Sequence, residues 1–348
     1  MAMLHTEGFT YERGLYTNFS ISASAGTGRN NGIDSKGMFT FAAGRDGLNL
    51  PFVNIGVGTV PTLITGFALL VPNPLPAGAH QQICKFAGNS NTHLSFDLDF
   101  DTRKLRAYFG PGSTTLLGTS TLPVFAAPGE WSYLEIKVTI DDAAGAIEVR
   151  YYGTTVLTLS GIDTRNADVA GVTNMLLGYN GGTGSAVLNY DDWYILDTTG
   201  PDNNTFLATT SNNPRVIEFG PSATGDVTQF TPNSGANYAA AASWDADSTY
   251  VGDATVGDRD LYNFTDLPAG TANIKSLILS HQARKDDALA RSMAIGVKSG
   301  GTIYDQAAFA LTNAYVNRFN VLSTDPNTGA AWTESGVNAM QAGPKVAA

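Results

Sequence analysis

The sequence predicts an all-β fold built on antiparallel sheets. Three observations point there. Short alternating or apolar runs recur along the chain, broken by Gly, Asn and Pro. Helical periodicity is scarce. Charged residues make up only 15% of the chain, against about a quarter in ordinary soluble domains. Gly, Ser, Thr and Asn take their places, which suits a protein of many turns whose surface is partly covered by neighbours.

The elements follow in order. LSFDLDF (94–100), KLRAYFG (104–110), SYLEIKVTI (132–140), AIEVRYYG (146–153) and TVLTLSG (155–161) read as strands. Turn chemistry joins them: Asp101-Thr102-Arg103, then Asp141 to Gly145, then Gly153-Thr154. TGPDNNTFLATTSNNPR (199–215) reads as a connector, so a boundary is expected near residue 200, between domains 1–200 and 201–348. Beyond it, 273–287 and 291–301 read as two strands of a new sheet, and 308–326 adds another. ESGVNAMQAG (334–343) is the best short helix, stopped by Gly343-Pro344.

Composition excludes several functions. The formal net charge is −11, so nucleic acid and anionic membranes are poor partners. No apolar run approaches the length of a membrane helix. MAMLHTEGFTYERG has no basic region followed by an apolar core, so no signal peptide is expected. Cys84 is the single cysteine and has no partner for a disulfide or a zinc site.

Few residue patterns point to chemistry. Asp97, Asp99 and Asp101 alternate, so they share one strand face, with Leu98 and Phe100 on the other. A retaining glycosidase would need two carboxylates about 5 Å apart. The stretch lacks Glu, and a solvated strand face is expected. NYDDWYILDT (189–198) places Leu188, Tyr190, Asp192, Tyr194 and Leu196 on one face and Asp191, Trp193 and Ile195 on the other, so the strand should be covered on both sides. A calcium ion held with Asn180, Gly181 and Asn189 is the alternative left open there; no other cofactor is expected. His5, His80, His93 and His281 are isolated, and GTGRNNG (26–32) reads as a turn. Tyr11, Tyr16, Tyr179, Trp193 and Tyr194 could stack on a sugar or pack in a core. The ligand-binding candidates are therefore Tyr179, Asn180, Asp191 and Trp193. No catalytic residue is assigned. Trp332, Val337 and Met340 surround the final short helix, which must dock on its own sheet or on a neighbouring subunit. They are the candidate assembly residues.

Gly129, Trp131, Glu135, Gly145, Glu148, Val149, Gly153, Asp191 and Asp192 resemble the back half of a concanavalin A-like (laminin-G-like) jelly roll. The resemblance covers roughly residues 1–198. DSTYV (247–251), GDRDLYNFTDLP (257–268), ARKDD (283–287), KSGG (298–301) and DPNTGAAWTESGVNAMQAG (325–343) resemble a segment common in tailed-bacteriophage structural proteins. Together they imply a jelly roll followed by a smaller β-rich domain with a short C-terminal helix. They also imply a non-enzymatic virion protein of the tail, tail tip or fibre, made in the host cytoplasm. Its partners would be copies of itself and other virion proteins. A host-glycan-binding fibre module, a head decoration protein and a polysaccharide depolymerase are the alternatives.

Overall fold

The computed structural model describes residues 3–7, 39–41, 53–71, 77–112, 115–178, 188–243, 245–271 and 273–348. They are almost wholly β and fall into two compact units. The first reaches Ile217 and the second runs from Glu218 to Ala348. The division lies later than the expected position 200, because the connector packs on the first unit.

The first unit is a jelly-roll sandwich, with thirteen strands among its described residues. They are β1 (Met3–Glu7), β2 (Phe39–Phe41), β3 (Val53–Val60), β4 (Thr62–Leu70), β5 (His80–Ala87), β6 (Thr92–Asp99) and β7 (Leu105–Phe109). Then come β8 (Thr115–Thr119), β9 (Trp131–Thr139), β10 (Gly145–Tyr151), β11 (Thr154–Ile162), β12 (Val172–Leu177) and β13 (Leu188–Leu196). One sheet has the order β1-β13-β4-β9-β10-β11, with β2 also on β13; the other has β3-β12-β5-β6-β7-β8. Every pairing is antiparallel. The core draws on alternate residues of both sheets: Leu94, Phe96 and Leu98 from β6, Leu134, Ile136 and Val138 from β9, Leu63, Phe67 and Leu69 from β4.

Two bulges decide which side chains reach the outside. In β13 the register on β4 shifts between Asp191 and Tyr194, and Asp192 takes a left-handed φ of 51°. One extra residue reverses the face parity. Tyr190 and Trp193 therefore both enter the core, whereas uninterrupted alternation would have put them on opposite faces. In β5 the register on β6 shifts between Gln82 and Cys84. Ile83 and Cys84 both enter the core, and Gln82 and Lys85 come to share the outer face.

The second unit contains β14 (Pro221–Thr228), β15 (Thr231–Pro232), α1 (Asn237–Ala242), β16 (Val251–Gly252), β17 (Asp260–Phe264), β18 (Leu277–Ala283) and β19 (Ser292–Ser299). β20 (Thr302–Asp305), β21 (Phe309–Ala310), β22 (Val316–Leu322), α2 (Glu334–Ala339) and β23 (Gln341–Val346) complete it. Its main sheet runs β14-β17-β23-β19-β20, with β21 on β19; β15 pairs with β16, and β18 with β22. The segments 273–287 and 291–301 thus supply strands to different sheets. The final helix is also shorter than expected. Thr333 caps it by accepting a hydrogen bond from the Gly336 N–H. It stops at Ala339, and Gly343 and Pro344 lie inside a strand paired with β19. Gly343 is required there: a Cβ would come 2.4 Å from the Asp260 carbonyl oxygen.

Candidate functional site

Both outer faces of the sandwich carry buried polar groups, and they differ in how those groups are satisfied.

On the first sheet, the connector closes over Glu135, Tyr194 and Asp192. Glu135 is 1% exposed. Its Oε1 accepts the Tyr194 hydroxyl and the backbone N–H groups of Leu207 and Ala208, each at 2.8 Å. Burial raises the Glu135 carboxyl above its usual range, against the pull of those three donors. The Tyr194 ring lies over Gly66, where a Cβ would sit 2.3 Å from it. Asp192 Oδ1 accepts the Val216 N–H at 2.8 Å, and Arg215 stands 3.5 Å from its other oxygen. Arg150 stacks over Phe206, 4.2 Å from the ring centre. The residues that looked like a linker are therefore part of the domain.

This settles the stretch NYDDWYILDT. Asp191 is 1% exposed, and its Oδ1 accepts the Asp192 N–H. Trp193 is a core residue that donates from Nε1 to Thr65 Oγ1 at 2.8 Å. Neither offers a surface to a ligand, which corrects their assignment as binding residues. Tyr179, Asn180 and Gly181 lie outside the described residues, as do Tyr11, Tyr16 and GTGRNNG. Among the described residues, no cluster of three His, Cys, Asp or Glu side chains is placed to hold a metal.

The candidate assembly residues are also buried. Trp332, Val337 and Met340 are core residues of the second unit. Trp332 donates from Nε1 to the Leu322 carbonyl at 3.1 Å. The short helix docks on its own unit, so these three are not available as an interface.

The outer face of the second sheet holds the stronger candidate. Cross-strand register aligns Gln82, Asp97 and Arg106 in one row, Lys85, Ser95 and Tyr108 in another, and His80 with Asp99. The alternation of β6 places Asp97 and Asp99 outward, as expected, but not into solvent. Asp97 is 0% exposed. Its Oδ2 lies 2.9 Å from His80 Nδ1. Asp99 accepts from the Thr102 N–H and hydroxyl, both at 2.8 Å, and pairs with Arg106. Burial opposes ionisation of Asp99, but the Thr102 hydrogen bonds and the Arg106 charge win and lower its pKa.

Lys85 sits across from Ser95 on this face. Burial lowers its ammonium to about 8, and the nearby Asp97 charge opposes the shift. Cys84, on the core side, has its thiol raised by burial first and by Asp97 second, so it is unreactive. Gln82 is 1% exposed, and neither its amide nitrogen nor its amide oxygen has a hydrogen-bond partner. Leaving a buried amide unmatched costs about 1–3 kcal/mol. The other histidine of this sheet is satisfied: His93 Nδ1 accepts the Asn166 N–H, so its Nε2–H donates to the Gly171 carbonyl. Of this face only the aspartates were legible as candidates. Gln82, Lys85, Arg106 and Tyr108 belong to no motif. The single sequence hint was polar Gln and Lys inside the otherwise apolar HQQICKFA.

The arrangement offers hydrogen-bond donors and acceptors with balanced charge. It does not present two carboxylates across a cleft, since His80 engages one and Arg106 the other.

No protein-family model matches the chain, and neither does any curated protein. Solved structures are similar to part of it. An endo-β-1,4-glucuronan lyase from the fungus Trichoderma reesei is 10% identical over 46% of this chain and 79% of that one, with a TM-score of 0.34. A galectin of Caenorhabditis elegans is 13% identical over 44% of this chain and 94% of its own, at a TM-score of 0.27. A carbohydrate-binding module from Bacillus subtilis is 10% identical over 46% and 95%, at 0.31. Likeness at this level assigns no ligand or reaction to this protein.

Proposed function

We propose that the chain is a non-enzymatic structural subunit of a tailed-phage virion, in which the second unit attaches the jelly roll to the particle. The observation that carries the reading is the β18–β22 ribbon. Among the described strands, these two pair only with each other, and a two-stranded ribbon is marginal in water without a partner surface. Its residues are mostly half-buried, and Phe319 is 45% exposed. Tyr250, Val256 and Leu289 are also exposed, so four of the six large exposed apolar side chains among the described residues lie in this smaller unit. Exposed apolar surface on one module suits packing against neighbouring subunits. This reading assigns the attachment role to the ribbon rather than to Trp332, which is buried. Phage particles should be assembled with a Phe319→Asp subunit and its copy number measured by quantitative mass spectrometry. At least a tenfold loss of the folded subunit from particles is expected. Normal copy number would overturn the attachment role.

A further inference from the structure

The β18–β22 ribbon meets the main sheet of the second unit through a histidine whose ring nitrogens are buried. We infer that the ribbon is a pH-sensitive latch: it lies closed on Phe309 of β21 while His281 is neutral, and protonation of that imidazole in mild acid lifts it.

The first support is the seat of the ring. His281 packs on Phe309, with ring centres 5.1 Å apart and planes tilted by 36°. Both imidazole nitrogens are sealed from water, and neither has a hydrogen-bond partner. A neutral imidazole carries one N–H, whereas the cation carries two and a full charge. No acceptor is in place for them, so the seat suits the neutral ring. The second support is the neighbour. Arg318 stands opposite His281 on β22, and its guanidinium lies 5.9 Å from the centre of the same Phe309 ring. That ring already holds one cation, and a second beside it is repelled. β21 consists of Phe309 and Ala310 and brings no titratable group. No carboxylate among the described residues acts on the imidazole.

The ends of the ribbon are held differently. Leu277 and Leu322 pair with each other and are buried, and Trp332 donates to the Leu322 carbonyl. This end is the pivot. At the other end, Tyr315 and Arg284 donate to Asp247 Oδ1 at 2.6 and 2.9 Å. The Asp247 side chain is 63% exposed, so its ion pair adds little. The same donors hold its carboxyl below the ordinary range, and it stays charged while His281 titrates.

The direction of the effect follows. Burial, with Arg318 in support, lowers the imidazole from its ordinary 6.5 to about 4, against a smaller opposing pull from the Leu279 backbone. In the open ribbon the ring meets water and regains its ordinary value. Below about 6.5 the open form therefore binds a proton that the closed form refuses. Closure is at full strength above that pH and weakens as the pH falls toward 4.

The test is amide hydrogen exchange on the full chain at pH 7.5 and 5.0, corrected for the intrinsic rates. Protection of the amides in β18 and β22 should fall by about tenfold or more in acid, while β17 and β23 hold theirs. His281→Phe keeps the ring stacked on Phe309 and cannot titrate, so its ribbon should show no such fall. Asp247→Asn should still show it. An NMR titration of the His281 ring in wild type decides the matter if the phenylalanine variant misfolds, and a midpoint below pH 5 is expected. A midpoint near 6.5, unchanged ribbon protection, a fall shared equally by β17 and β23, or a fall that persists in His281→Phe would overturn the latch. The experiment needs no particle, so its outcome is separate from that of the attachment role.

Discussion

The two outer faces of the sandwich bury polar groups to similar depth, yet they use them differently. On the first sheet, Glu135 gathers three donors and Asp192 holds the Val216 N–H. Those groups fasten the chain's own connector. On the second sheet, Gln82 is equally buried and holds nothing. The difference teaches that burial alone does not mark a structural polar residue. What separates Glu135 from Gln82 is that the first uses its hydrogen-bonding capacity to hold distant backbone and the second leaves it unused.

The comparison is broken most severely at Glu135. Glu135→Ala should destabilise the first unit by about 3 kcal/mol, because the Leu207 and Ala208 N–H groups and the Tyr194 hydroxyl lose their acceptor together. Urea unfolding measures this; a loss below about 1 kcal/mol would mean that water replaces the clamp without cost. The same variant sharpens the boundary. In wild type, limited proteolysis should cut only the exposed stretches of the connector, 199–205 and 209–212, and spare Phe206 to Ala208. In Glu135→Ala, cleavage should spread to Leu207 and Ala208, read by mass spectrometry of the fragments.

Gln82→Leu tests the other side. It should stabilise the protein by about 1 kcal/mol, since an unmatched amide is removed. Measured destabilisation would mean that Gln82 is a clamp like Glu135. The smallest effect concerns Lys85. Its folded pKa of about 8 lies below the ordinary 10.5. Between those values the unfolded chain binds more protons, so this residue contributes stability that rises with pH from about 8 to 10.5. Lys85→Met should flatten the difference in Tm between pH 7.5 and 9.5 relative to wild type. An unaltered difference would place the ammonium in water.

The sandwich strands were legible because they rest on local alternation. LSFDLDF and SYLEIKVTI became β6 and β9 with the apolar residues inward. What failed was every inference that needed a distant partner. TGPDNNTFLATTSNNPR has the composition of a linker, and the residue that fastens it, Glu135, lies about seventy positions earlier. The bulge at Asp192 leaves no local mark, so unbroken alternation misassigned the face of every residue beyond it. Trp332 looked like an anchor for a partner because a lone tryptophan in a polar stretch gives no sign of its own pocket. Gln82 gained meaning only from the register that sets it beside Asp97.

The connector also has a mechanical consequence. Tension entering the jelly roll along the backbone at Glu218 meets Val216 first, held by Asp192, and then Ala208 and Leu207, held by Glu135. The two fastenings act in series. Release of the first frees the seven residues between Ala208 and Val216, eight Cα–Cα steps that span at most about 28 Å at ~3.5 Å each. A chain pulled at Glu218 would therefore lengthen in a measured step while the ladders between the sandwich strands stay closed, a built-in slack that yields while the fold stays intact.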